Sequence, residues 1–72
     1  MLVATGKRAA MVCMLGDFIL WDRHWWYVTG SHTEEGIRWF YLERMDSEKG
    51  KFELVVGIPE RVLLHTAKET MD

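Results

Sequence analysis

The chain has a single cysteine, a single proline, no excess of basic charge and no apolar run near the roughly 18 residues that cross a membrane. Each shortage excludes something. With only Cys13 there is no internal disulfide and no Cys/His zinc pattern, so the staples of small secreted domains are missing and the expected setting is cytoplasmic. Lys7 and Arg8 follow the first apolar residues instead of preceding them, the reverse of a secretory leader, so neither signal peptide nor membrane anchor is expected. Nine Lys and Arg against eleven Asp and Glu give a formal charge of −2, which lacks the broad basic footprint of most sequence-independent nucleic-acid binders.

What the chain does have is aromatic bulk. Its 72 residues include four Trp, two Tyr and three Phe, and 49% of the chain is hydrophobic against 28% charged, a balance that folds. A domain this small buries only around 60% of the surface of its unfolded chain, so large side chains must supply the core. No repeat, low-complexity tract or linker divides it. The expectation is one domain over residues 1–72, with a folded body from about 9 to 65 and flexible ends, Lys68 to Asp72 forming a frayed tail.

Short polar and glycine clusters punctuate the chain at Gly16-Asp17, Asp22 to His24, Gly30 to Gly36, Asp46 to Gly50 and Gly57 to Glu60. The intervening runs, Phe18 to Trp21, Trp25 to Thr29, Ile37 to Arg44, Lys51 to Val56 and Arg61 to His65, are rich in β-branched and aromatic residues and predict a mainly β, antiparallel meander. Lys7 to Leu15 reads as a first strand, with a short helix as the alternative. After Pro59 the pattern fits either a short helical turn and strand or a C-terminal helix, since Leu63, Ala67 and Met71 fall on one helical stripe.

Three stretches, Gly16-Asp17-Phe18-Ile19-Leu20, Trp25-Trp26-Tyr27-Val28-Thr29-Gly30 and Gly57-Ile58-Pro59-Glu60-Arg61-Val62-Leu63, resemble the opening strand, second strand and pre-terminal helical turn of SH3-like small barrels of the Tudor and KOW type. The resemblance covers about Met11 to His65 and implies a five-stranded antiparallel barrel. It implies little about function, because these barrels share architecture more than activity.

The two central runs are apolar at both parities, and a thin barrel buries only one. Turning Trp26, Val28, Phe40 and Leu42 inward leaves Trp25, Tyr27, Trp39 and Tyr41 outside, a choice favoured because Trp and Tyr tolerate exposure better than Phe and Leu. That outer set is the candidate protein-binding or self-association surface, unless the terminal segments fold over it. Arg23, Arg38 and Arg44 could join the aromatics in a nucleic-acid face, provided they share it. His24, His32, His65, Asp17 and Asp22 match no metal spacing, and no triad or phosphate-cradling loop is present, so neither metal, cofactor nor catalysis is expected. Cys13 is expected to pack as a small hydrophobe.

Overall fold

In a computed structural model, which describes residues 1–71, the chain forms six strands: β1 (Leu2–Ala9), β2 (Phe18–Trp21), β3 (His24–Glu34), β4 (Ile37–Asp46), β5 (Gly50–Pro59) and β6 (Leu63–Glu69). A single 3₁₀ turn at Ala10–Val12 is the helical element of the described residues. The strands make one antiparallel sheet in the order β1-β6-β2-β3-β4-β5. The sheet does not close into a barrel, and β1 and β5 are its edges.

Turn chemistry sets the meander. Asp22 and Arg23, at φ 49° and 68°, close β2 onto β3 in a two-residue hairpin, and Glu35 and Gly36, at φ 51° and 78°, do the same for β3 and β4. Both hairpins use the left-handed backbone that matches the right-handed twist of the strands, and Arg23 adopts it against its own preference. At the β4–β5 turn the Asp46 carboxylate accepts the backbone N–H groups of Glu48 and Lys49 at 2.8 and 2.9 Å, and Gly50 at φ 83° returns the chain to the ladder.

The sheet curls around one core of Ala10, Cys13, Ile19, Trp26, Val28, Phe40, Leu42, Ile58 and Leu64, with Trp21, Phe52, Leu54 and Val56 packed against its rim. Trp26, Val28, Phe40 and Leu42 therefore point inward. The Trp26 indole donates to the Trp21 carbonyl at 2.9 Å, so this large ring is buried with its polar atom satisfied.

Three expectations require correction. The sheet has six strands, not five, because residues 2–9 are not a loose end but pair along β6, where the register shifts between Ala4 and Gly6. Of the two alternatives after Pro59 the structure takes the turn and strand: one turn, in which Val62 N–H donates to the Pro59 carbonyl at 3.0 Å, leads into β6, and β6 is held on both sides by β1 and β2. Lys68 and Glu69 belong to that strand, and the terminal ammonium of Met1 bonds Glu69 at 2.6 Å. Pairing partners thus overrode the helical stripe. Gly30 does not end β3 either. A bulge at Thr29 turns the strand, and Gly30 continues it beneath the Tyr41 ring, where an added Cβ would sit 3.6 Å from the ring.

Candidate functional site

The sequence carries two Trp-x-Tyr pairs, Trp25/Tyr27 on β3 and Trp39/Tyr41 on β4, and both face outward. Register decides whether they meet. Tyr27 stands opposite Glu43, while Tyr41 and Trp39 stand opposite Gly30 and His32. The pairs are therefore offset along the hairpin and form two separate patches.

Trp25 and Tyr27 are half-buried. Tyr27 packs on Phe18 of β2 with ring centroids 5.1 Å apart, and Leu2 of β1 and Met45 of β4 complete a shallow groove of about 380 Å³ that Glu43 also lines. Here the N-terminal strand partly covers the aromatic face, as one of the two sequence readings anticipated.

Trp39 and Tyr41 lie on the uncovered half, 36% and 42% exposed. Their cross-strand neighbours on β5 are Gly57 and Val55, and Val55 is itself 58% exposed. Gly57 lets the indole lie flat, because a Cβ there would fall 2.8 Å from the Trp39 ring. On the other side His32 stacks on Tyr41 at 5.8 Å, and Thr29 Oγ1 donates to the Tyr41 carbonyl at 3.0 Å. The result is a preorganised strip of Trp39, Tyr41, Val55 and His32 on a continuous hairpin.

The arginines do not share that strip. Arg38 and Arg44 have the inward parity of Phe40 and Leu42, and each closes one end of the core. Arg38 donates from Nε and Nη2 to the Cys13 carbonyl at 3.3 and 2.8 Å and from Nη1 to Thr33 at 3.1 Å. Arg44 lies over the rings of Trp26 and Phe52, at 5.1 and 4.6 Å from their centroids, with Asp46 3.9 Å away. Arg23 is exposed in the β2–β3 turn. Long side chains bury their stems and expose their heads, so the sequence offered Arg38 and Arg44 as surface candidates and only the structure showed them spent on the core ends.

His24, His32 and His65 are exposed and Asp22 sits in the β2–β3 turn, whereas Asp17 is buried and accepts Met14 N–H at 2.9 Å, with Arg8 4.0 Å away. Among the described residues no group of three or more His, Cys, Asp or Glu side chains is placed to hold a metal ion. Burial pushes the Cys13 thiol above its ordinary range and the Asp17 charge adds to this, outweighing Arg8 and Arg38. Its Sγ points to the Ala9 carbonyl at 3.5 Å, which suits the small-hydrophobe role. No helix among the described residues is long and apolar enough to cross a membrane.

One surface escaped the sequence reading. Met11, Val12, Met14 and Leu15 are exposed in the β1–β2 connection, and hydrogen bonds from Ala10 to Val62 and from Met11 to Glu60 bring them beside exposed Val62 and Leu63. These segments are some fifty positions apart, so no local pattern links them; the density of Met and Leu before Gly16 was the one available signal. No protein-family model matches the chain, and neither does any curated protein or solved structure.

Proposed function

We propose that this chain is a non-enzymatic adaptor whose strand pattern is that of an SH3-like small barrel left open, and which docks another protein on the strip formed by Trp39, Tyr41, Val55 and His32. The observation that carries the reading is the Trp39 indole laid open over Gly57 on the β4–β5 hairpin. Large amphipathic rings held in place before binding lose little entropy on contact, which is why they dominate interface energetics. The SH3-like assignment rests on the β2–β5 meander, the Gly16 to Leu20 opening and the turn at Pro59 before the last strand; the added β1 strand and the unclosed sheet set the chain apart from the five-stranded barrel. A nucleic-acid reading has weaker support, since Arg38 and Arg44 lie on the opposite face from the open aromatics.

The test is selection of binding peptides on the immobilised full chain, followed by titration against Trp39→Ala and Tyr41→Ala. Each substitution should weaken binding about tenfold or more, equivalent to about 1.4 kcal/mol, while the far-ultraviolet circular dichroism stays unchanged. Peptides that bind both variants as tightly as wild type would sink the proposal.

A further inference from the structure

The two edges of the sheet are built differently. On β1 the register breaks at Thr5, Gly6 takes φ 91°, and the Thr66 hydroxyl contacts both the Thr5 hydroxyl and the Gly6 carbonyl, so the edge is kinked. Bulges of this kind blunt an edge against other strands. On β5 the pairing with β4 runs unbroken from Gly50 to Pro59, and among the described residues no strand occupies its other side. The 3₁₀ turn reaches only its far end, where Met11 N–H donates to the Glu60 carbonyl at 3.0 Å. From Gly50 to Gly57 the edge has neither bulge nor proline.

Charge on this edge is arranged to match itself. Lys51 and Glu53 share the outer face, and Glu53 stands directly opposite Glu43 of β4, a like-charged cross-strand pair. Lys51 of the same chain approaches Glu43 at 3.6 Å, and among the described residues no cation pairs with Glu53.

We propose that β5 joins antiparallel to β5 of a second copy, in a register centred on Phe52. That register sets Lys51 of each copy opposite Glu53 of the other, forming two ion pairs, supplying the cation that Glu53 lacks within its own chain, and bringing the two Phe52 rings side by side. The occupant is a copy of this chain because the edge complements its own reversed sequence. The proposal uses the hydrogen-bonding edge and does not rest on the Trp39 strip.

The experiment is light scattering on the full chain over a range of concentrations, for wild type, Lys51→Glu, Glu53→Lys and an equimolar mixture of the two variants. Wild type should dimerise. Each variant alone should associate about tenfold or more weakly, since two attractive pairs become repulsive, and the mixture should recover the dimer as a heterodimer. A monomeric wild type would overturn the proposal, as would a dimer that survives in either variant or a mixture that fails to recover it. Trp39→Ala should dimerise like wild type; loss of the dimer there, with both charge variants still dimeric, would assign self-association to the aromatic strip instead. Monomeric wild type that still binds selected peptides through Trp39 would remove the β5 dimer and leave the docking strip intact.

Discussion

The Trp25/Tyr27 and Trp39/Tyr41 pairs have the same local pattern, face the same side of the same sheet, and end in different environments. The first lies where β3 is flanked by β2, so Phe18 packs on Tyr27 and Leu2 reaches the groove. The second lies beyond the bulge at Thr29, where β3 offers Gly30 and His32 and β5 is the last strand. Aromatic residues at equivalent strand positions therefore serve structure in the interior of a sheet and remain available for contact near its edge.

The sharpest way to break this comparison is within β4 itself, where neighbours face opposite sides. Phe40→Ala should destabilise the chain by about 3–5 kcal/mol in urea denaturation, because Phe40 is fully buried, whereas Trp39→Ala should cost about 1 kcal/mol. Equal losses would mean that Trp39 is core. Next comes the contrast between the pairs: Trp25→Ala should cost about 2 kcal/mol, more than Trp39→Ala, since Trp25 loses more area removed from water. If the order is reversed, the covered and open halves have been assigned the wrong way round.

A smaller effect sharpens the open half. Gly57→Ala should displace the indole, since the new Cβ would fall 2.8 Å from it, and is expected to shift tryptophan fluorescence at a stability loss of about 1 kcal/mol. An unchanged spectrum would mean that the ring does not rest on Gly57. The smallest effect concerns pH. Backbone N–H groups of Lys49 and Glu48 hold the Asp46 carboxyl below its ordinary range. Its folded pKa is lower than its unfolded one, so its contribution is present above the unfolded value and is lost as pH falls through the folded value. Asp46→Asn should flatten the acid limb of stability against pH slightly, and an identical acid limb in the variant would show that the turn does not depend on this charge.

Much of the fold was legible. Asp22-Arg23 and Asp46 to Gly50 announced hairpins through their turn chemistry, and the inward choice of Trp26, Val28, Phe40 and Leu42 followed from comparing which side chains tolerate water. Gly30 misled because a glycine that ends a strand and one that makes room for a ring look alike in sequence. The C-terminal stripe of Leu63, Ala67 and Met71 left helix and strand both open, because local spacing does not reveal that β1 and β2 wait on either side of β6. The Met11 to Leu15 patch was illegible for a related reason, since its other half comes from Val62 and Leu63.

By itself the sequence determined that this chain is a β-rich unit with more aromatic surface than a thin core accepts, because composition, alternation and turn residues act over a few positions. Tertiary structure alone decided that the surplus splits into a covered and an open half, that Arg38 and Arg44 close the core, and that β5 is left as an edge without a bulge. Those outcomes depend on strand order and on a one-residue bulge, and a single-residue change of register reassigns every cross-strand neighbour that follows it.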